Sequence, residues 1–295
     1  MLASRGKPSW LKILPPTEKF PEIKGIARKY SLHTVCEEAH CPNMAECWSG
    51  GTATFMVLGD TCTRGCKFCA VKTFYKPPPP DPSEPANLAR AVAELKLDYI
   101  VITSVDRDDL PDQGASHFAQ CIRAVKEADS SIVVEVLIPD FRGQQELVDV
   151  VINAKPDVIA HNIETVKRLQ QNVRDPRAGY DQSLGVLRYV KETSPATYTK
   201  SSLMLGFGEQ DKEVIEAMQD LRATDVDILT FGQYLRPGAM HLPVQEYVHP
   251  DKFSFFGQRA EAMGFLYCAS GPFVRSSYRA AELFTRALVK KARLQ

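Results

Sequence analysis

Short β-branched runs alternate with amphipathic stretches along most of this chain. The predicted strands are residues 54–60, 99–103, 132–138, 157–164, 197–208 and 227–235, with a last short strand in FLYCAS at 265–270. Each run except the last is followed by apolar residues at helical spacing. Such alternation favours parallel strands with right-handed crossovers, and six units fit a partly closed barrel better than a flat sheet. We therefore predict an α/β fold, a partial (β/α)6 barrel with N- and C-terminal extensions.

The chain has 295 residues, which is long for one ordinary domain but usual for a barrel. Apolar residues make up 44% and charged residues 24%, a balance typical of a globular protein with a large core. The segment KPPPPDPSEP, residues 76–85, contains six prolines and is predicted to be an extended, non-helical connector. We expect an N-terminal extension (1–52), the barrel (53–270) and a C-terminal extension (271–295).

Charge and hydropathy exclude two classes of partner. Lysine plus arginine total 36 and aspartate plus glutamate total 36, so no general field attracts nucleic acid. No apolar run approaches the roughly 20 residues that span a bilayer. The longest, SIVVEVLIP, is interrupted by Glu135. We expect no nucleic acid or membrane partner and a cytoplasmic location, although an organelle protein without its presequence would look similar.

Six of the eight cysteines lie between Cys36 and Cys69. In a large chain without a clear signal peptide, clustered thiols more often bind metal than form disulfides. The two remaining cysteines, Cys121 and Cys268, lie in apolar helical and strand patterns and are predicted to be buried core residues.

The loop CTRGCKFC places Cys62, Cys66 and Cys69 directly after the first strand of the predicted barrel. A structural zinc site takes four protein ligands, whereas three thiolates on a cubane iron–sulfur cluster leave one iron open. This CxxxCxxC spacing, with Phe68 before the last cysteine, resembles that of radical S-adenosylmethionine (SAM) enzymes. The resemblance implies a [4Fe–4S] cluster whose open iron binds SAM, and a 5′-deoxyadenosyl radical that abstracts hydrogen from an unactivated carbon.

A second triplet, Cys36, Cys41 and Cys47, has the spacing CxxxxCxxxxxC. One alternative is half of a zinc site completed by the first triplet, by His33 or by His40. The paired triplets resemble those of the lipoyl synthase family, and the likeness covers most of the chain. It extends to HNIETV (161–166), VRDPRAGY (173–180), KSSLMLGFGE (200–209) and RSSYRA (275–280). Phe207 stands where that family commonly has leucine, a change with little expected effect.

The resemblance to lipoyl synthases implies a second, auxiliary [4Fe–4S] cluster on Cys36, Cys41 and Cys47, with the Ser277 oxygen as fourth ligand. An oxygen ligand is harder and weaker on iron than thiolate, which suits a cluster that is dismantled. The implied reaction inserts its sulfur at C6 and C8 of an octanoyl chain on a carrier-domain lysine, consuming two SAM molecules. From the residues alone, Ser276 and Ser277 are equally good candidates, and a helix N-cap is the alternative role.

Further candidates for SAM binding follow the predicted strands. Asn162 and Glu164 can hydrogen-bond a nucleoside, with helix capping as the alternative. Arg174 and Arg177 can clamp a carboxylate, unless they form a surface pair with Asp175. Thr103 is a candidate at another strand end, with a solvated loop as the alternative. Leu205 and Gly206 in MLGFGE are expected to lie against the methionine or adenosine moiety of SAM. His161 is interpreted as a satisfied strand-end histidine and not as a ligand.

The implied partners are an octanoylated lipoyl carrier domain (2-oxoacid dehydrogenase E2 subunits or the glycine cleavage H protein), an electron donor such as flavodoxin or ferredoxin, and an iron–sulfur carrier that rebuilds the auxiliary cluster. A zinc-binding interaction module, with the barrel as scaffold, is an alternative from another class. Another two-cluster radical enzyme is a nearer alternative. Biotin synthase lacks the upstream triplet, and methylthiotransferases carry an N-terminal domain that the first 60 residues cannot supply.

Overall fold

The computed structural model describes residues 7–11, 19–39, 41, 44–49, 54–277, 285 and 287–289. Its helices are α1 (Lys19–Lys29), α2 (Val35–Glu38), α3 (Met44–Ser49), α4 (Glu84–Leu95), α5 (Ala115–Ala128), α6 (Gln145–Ile152), α7 (Gln170–Val173), α8 (Tyr180–Thr193), α9 (Asp211–Arg222) and α10 (Pro250–Ala262). Its strands are β1 (His33–Thr34), β2 (Thr54–Val57), β3 (Thr61–Cys62), β4 (Lys72–Thr73), β5 (Tyr99–Ser104), β6 (Val133–Leu137), β7 (Val158–Ala160), β8 (Tyr198–Leu205), β9 (Ile228–Gln233) and β10 (Tyr267–Ser270).

The main sheet has the order β1-β2-β5-β6-β7-β8-β9-β10. Its ladders from β2 to β10 are all parallel, with Thr54 opposite Val101 at one end and Tyr267 opposite Ile228 at the other. A helix follows each strand from β2 to β9 in this sheet, and β10 is the last strand. The predicted α/β partial barrel with six strand–helix units is therefore confirmed. It is open, because no ladder among the described strands joins β1 to β10.

Alternation along each strand separates the inner face of the sheet from the face that the helices cover. On β5, Ile100 and Ile102 belong to a core cluster that includes Phe118 and Ile122 of α5. Tyr99 and Val101 point to the other face, in a separate cluster with Val133, Val158 and Val289. On this inner face the Lys200 ammonium lies 2.7 Å from the Glu135 carboxylate, both 1% exposed. The predicted core roles of Cys121 and Cys268 are confirmed by their burial.

The proline-rich connector differs from its prediction at one end. Glu84 and Pro85 are already part of α4, because proline is tolerated in the first turn, where its missing N–H has no intrahelical acceptor. The earlier residues of the connector, 76–83, contain no helix, as expected. None of the helices within the described ranges is long and apolar enough to cross a membrane.

The N-terminal segment adds elements that sequence periodicity did not predict. β1 pairs antiparallel with β2, placing His33 opposite Met56 and so extending the sheet at its edge. α1 packs against α3 and α4, with Ile23 and Trp48 buried. Because α2 follows β1 directly, Cys36 is brought next to the barrel strand β2.

At the other end, residues 271–277 cross from β10 towards the start of β2. Gly271 N–H donates to Phe231 O at 3.1 Å, and Gln233 N–H donates to Pro272 O at 3.3 Å. The crossing is close at Gly232, where a Cβ atom would lie 2.0 Å from Val274 O. We call residues 271–277 the C-terminal strap.

Candidate active site

A cavity of about 540 Å³ opens at the C-terminal ends of the barrel strands. Its lining includes Cys62, Cys66 and Cys69 from the loop after β2, together with Cys36 and Cys41 from the N-terminal segment. It also includes Thr103, Asn162, Glu164, Arg174 and Ser277. The structure thus brings most of the predicted site residues to one place, at the strand ends where the topology favours ligand binding.

Backbone N–H groups surround the first cysteine triplet. The amides of Arg64 and Asp106 donate to Cys62 Sγ at 3.4 and 3.3 Å, and that of Asp175 donates to Cys66 Sγ at 3.3 Å. The Val71 amide donates to Cys69. Such N–H···S contacts stabilise thiolate character and help to set the potential of a bound cluster.

Arg64, between the first two cysteines, anchors the loop to the strand ends. Its Nε and Nη2 donate to both carboxylate oxygens of Asp108 at 2.9 Å, and Nη1 donates to Asp140 at 2.8 Å. These three side chains are no more than 3% exposed. The sequence analysis missed Arg64, and the signal for it was weak: a lone arginine in a loop has no fixed partner until the fold places two aspartates beside it.

Burial keeps the unligated thiols protonated. It raises the pKa of Cys66 to about 12 and that of Cys69 to about 11, and it also raises the pKa of Cys62. A soft, positively charged iron centre would compensate for this, because metal binding releases the thiol protons. Three partly buried sulfurs with N–H donors therefore fit an iron–sulfur cluster.

The second triplet is built from two short helices and the chain between them. Cys36 lies in α2 and Cys47 in α3, while the Cys41 N–H donates to Cys36 O at 3.0 Å. Cys47 is buried and does not line the cavity. Burial, and to a smaller extent the neighbouring Cys41 thiol, raises the pKa of Cys36 to about 11, against a hydrogen bond from the Thr54 backbone.

Neither triplet is arranged for a single zinc ion. Thiolates on one tetrahedral zinc lie about 3.8 Å apart. Among the described side chains, two groups of three potential ligands have all their atoms within 4.8 Å of one another: Glu84–His117–Cys121 and His33–Glu38–Asp60. Neither group contains a cysteine of either triplet. Glu84 already accepts the Leu58 N–H at 2.8 Å and contacts His117 Nε2 at 2.7 Å. All eight cysteines lie in the described chain and none forms a disulfide, while His40 lies outside it.

The C-terminal strap brings Ser277 to the second triplet's side of the cavity. The Thr54 hydroxyl donates to Ser277 Oγ at 2.8 Å. Arg275 also lines the cavity, and its Nη1 donates to Val274 O at 2.7 Å and Pro272 O at 3.3 Å. Burial lowers the pKa of Arg275, opposed by the thiols of Cys41 and Cys47. The start of the helix that either Ser276 or Ser277 would cap lies outside the described residues.

Two buried polar atoms at the cavity have no hydrogen-bond partner in the described chain: Asn162 Oδ1 and Ser104 Oγ. The Asn162 amide donates to Glu164 Oε1 at 3.0 Å. Glu164 adopts a positive φ of 65°, and burial raises its pKa. Buried polar atoms are nearly always hydrogen-bonded, so these orphans fit a polar ligand such as a nucleoside.

The other predicted SAM contacts are placed differently. Arg174 donates to Ser183 Oγ at 2.9 Å and Gln170 Oε1 at 3.1 Å, at the cavity wall. Arg177 lies outside the lining and pairs with Asp175 at 2.8 Å, which was the alternative interpretation. Thr103 donates to Leu137 O at 3.0 Å.

Leu205 and Gly206 lie behind the cavity wall. Leu205 is 1% exposed in a core cluster with Val214 and Met218. Gly206 has a φ of 112°, and its N–H donates to Glu209 at 2.6 Å. A Cβ atom at Gly206 would lie 2.3 Å from the Gln233 amide nitrogen, so glycine is needed there for close packing.

His161 is satisfied within the protein, as interpreted from the sequence. Its Nδ1 contacts Ile138 O at 2.8 Å and its Nε2 contacts Ser183 Oγ at 2.9 Å. Burial lowers the pKa of His161 to about 4, which keeps the ring neutral near pH 7.

Comparison with known proteins defines the class. The family model of the Radical SAM superfamily matches residues 56–221. Similar solved structures include HydG, a maturase of the [FeFe]-hydrogenase, at a TM-score of 0.58 and 12% identity over 84% of this chain and 55% of that one. HydG from Carboxydothermus hydrogenoformans has a TM-score of 0.57 and 13% identity over 84% of this chain and 64% of that one. The fold and the cysteine loop thus define a radical SAM protein, a class that carries a [4Fe–4S] cluster and SAM.

Closer relatives define the family. Lipoyl synthase from Halobacterium salinarum is 60% identical over 99% of this chain and 95% of that protein. Lipoyl synthase from Anaeromyxobacter dehalogenans is 59% identical over 96% and 97%, and the chloroplastic lipoyl synthase of Arabidopsis thaliana is 59% identical over 97% and 74%. The chain belongs to the lipoyl synthase family. These matches favour the lipoyl synthase interpretation over the alternatives of a zinc-binding module, a methylthiotransferase or a biotin synthase.

Proposed function

We propose that this enzyme inserts two sulfur atoms, at C6 and C8 of an octanoyl chain amide-linked to a lysine of a lipoyl carrier domain. One observation carries the proposal: cysteines of both triplets line a single cavity. A radical generated at one triplet can then act on a substrate carbon that also reaches sulfur at the other. Family membership supports the reaction, since sulfur insertion is what lipoyl synthases perform.

The first triplet would hold the radical SAM cluster through Cys62, Cys66 and Cys69. When bound there, the cluster supplies the electron that cleaves SAM. The chain holds the three sulfurs by backbone N–H groups and fixes the loop through buried Arg64. Apolar residues such as Phe68, Leu137 and Met204 line the same cavity and exclude water from a radical.

Asn162 and Glu164 are proposed to bind the nucleoside of SAM, supported by the unpartnered Asn162 Oδ1. Arg174 and Thr103 line the same wall and are proposed as direct contacts. For Arg177, Leu205 and Gly206 we propose an indirect role, because these residues do not line the cavity. Arg177 holds Asp175, and the Gly206 turn supports the end of β8.

The second triplet would hold an auxiliary [4Fe–4S] cluster through Cys36, Cys41, Cys47 and the Ser277 oxygen. When bound, this cluster supplies the inserted sulfur atoms. The proposal is supported by the strap, because Ser277 lines the same cavity as Cys36 and Cys41 and accepts a hydrogen bond from Thr54. On this proposal, residues 1–52 and 271–295 are extensions that build one site across the barrel 53–270.

Lipoyl synthases act on lipoyl carrier proteins. We propose the octanoylated domains of 2-oxoacid dehydrogenase E2 subunits and of the glycine cleavage H protein as substrates. We further propose flavodoxin or ferredoxin as electron donor, and an iron–sulfur carrier for rebuilding. The proposed location is the cytoplasm; plant relatives are named chloroplastic, whereas the Halobacterium and Anaeromyxobacter relatives are not.

Anaerobic reconstitution tests this function directly. The chain, loaded with iron and sulfide, is mixed with an octanoyl-lysine peptide, reductant and SAM, and the peptide is analysed by mass spectrometry. We expect about eight irons per chain, then singly and doubly thiolated peptide. A C36A/C41A/C47A variant should keep about four irons and release 5′-deoxyadenosine without thiolating the peptide. A C121A/C268A variant is the matched control and should behave as the unchanged enzyme. Unchanged peptide with the full iron content would contradict the proposal.

A further inference from the structure

Thr54 contacts ligands proposed from both ends of the chain. It is the first residue of β2 and is 4% exposed. Its hydroxyl donates to Ser277 Oγ at 2.8 Å across 223 residues of sequence. Its strand also packs against α2, the helix that carries Cys36, and a hydrogen bond from the Thr54 backbone opposes the rise that burial causes in the pKa of Cys36. One rigid strand residue therefore fixes a sulfur from the N-terminal segment and an oxygen from the C-terminal strap.

Ser277 needs such an anchor more than the cysteines do. An oxygen ligand binds iron more weakly than thiolate, so its occupancy depends on being held in place. Outer partners that orient metal ligands typically change metal affinity by about 10- to 100-fold. Threonine suits this role because its β-branched side chain is restricted at χ1, which fixes the direction of the hydroxyl.

We propose that Thr54 is the positioning residue of the auxiliary cluster, holding Ser277 Oγ in its ligating position relative to Cys36 Sγ. This inference rests on the proposed function, because it requires a cluster at Cys36, Cys41 and Cys47. The hydroxyl acts through Ser277, and the backbone N–H acts through Cys36. Loss of the hydroxyl frees the serine oxygen, while the three thiols stay where they are.

The test isolates the auxiliary site in a C62A/C66A/C69A background. Each variant is reconstituted anaerobically, and the rate of iron transfer to a chelator is measured without SAM. Thr54→Val keeps the backbone N–H and the side-chain shape but lacks the hydroxyl, and should release iron roughly tenfold faster. Thr54→Ser should release iron at the unchanged rate. If Thr54→Val does not fold, Thr54→Ala removes the same hydroxyl.

A double-mutant cycle separates positioning of Ser277 from general loosening of the sheet. Ser277→Ala alone should accelerate iron release, and adding Thr54→Val to it should change the rate less than twofold, because the hydroxyl then has no ligand to hold. Thr199→Val is the matched control: it removes another buried strand hydroxyl, which donates to Asp227 Oδ2 at 3.2 Å, and should leave the rate unchanged.

Three results would overturn the inference. These are an unchanged rate of iron release from Thr54→Val, an equal acceleration with and without the Ser277 oxygen, and an equal acceleration by Thr199→Val. Failure of the proposed function is distinguishable from these: the C62A/C66A/C69A background itself would then bind no four-iron cluster, which removes both proposals together.

Discussion

In the Cys62–Cys69 loop, the sulfurs receive backbone N–H groups and a buried ion network fixes the chain between them. The second triplet depends instead on two short helices and on the strap, whose contact with Thr54 spans 223 residues. The two sites share a cavity but not a kind of support. A site fixed by buried ion pairs at the strand ends suits a cluster that persists through many turnovers, whereas a site assembled from the two terminal segments suits the proposed auxiliary cluster, which would be taken apart and rebuilt.

The largest expected effect comes from Arg64. Arg64→Met leaves Asp140 buried without its cation and leaves Asp108 with the half-exposed Arg142 and Arg177 alone, which should destabilise the chain by about 3 to 5 kcal/mol. Urea unfolding measures the loss. In the protein that remains folded, the radical cluster should be lost and the auxiliary cluster kept. Equal loss of both clusters would break the distinction between the two sites.

Gly232→Ala tests the second triplet's site through the C-terminal strap. The new methyl group would lie 2.0 Å from Val274 O, so the strap must move. We expect a destabilisation of about 1 to 3 kcal/mol and loss of iron from the auxiliary cluster alone. Gly185→Ala in α8 is the control, since its Cβ meets nothing within 4 Å and should be neutral or slightly stabilising. An unaltered iron content in Gly232→Ala would contradict the role of the strap.

Arg275→Gln should weaken the auxiliary site and should destabilise the fold less than Arg64→Met or Gly232→Ala does. The thiols of Cys41 and Cys47 influence the pKa of Arg275, against the larger effect of burial. A partly buried cation stabilises an anionic cluster, so the neutral variant should lower the auxiliary cluster's reduction potential, by about 60 mV if the ratio of reduced to oxidised cluster falls tenfold. Electron paramagnetic resonance titration measures this. Arg188→Gln, on exposed α8 surface, should not shift it.

The smallest expected effect is the dependence of the free energy of unfolding on the protonation of Asp175 at acidic pH. Although burial opposes it, hydrogen bonds from Arg177 and Gly65 hold the pKa of Asp175 at about 2, below its unfolded value. The carboxylate therefore contributes stability that is fully present above about pH 4 and is lost as the pH falls towards 2. The stability difference between the unchanged chain and Asp175→Asn should shrink between pH 6 and pH 3 in urea titrations. A difference independent of pH would show that the carboxylate charge does not hold the loop.

Sequence periodicity predicted the six strand–helix units because each short β-branched run is followed by apolar residues at helical spacing, a pattern that is visible without tertiary context. It missed β1, only two residues long, and the buried ion network around Arg64. Asp108 and Asp140 come from different strand ends, so only the fold brings them to Arg64. The family resemblance proposed Ser277, whereas spacing alone left Ser276 and Ser277 equal. Thr54 carried no sequence signal, because a threonine at the start of a strand is ordinary.

Iron counting across one turnover tests the central contrast most directly. The fully loaded chain is given SAM, reductant and octanoyl-lysine peptide without added iron or sulfide. The account predicts a fall from about eight irons to about four per chain, with one doubly thiolated peptide formed and the remaining iron at Cys62, Cys66 and Cys69. A doubly thiolated peptide with about eight irons still bound would contradict it.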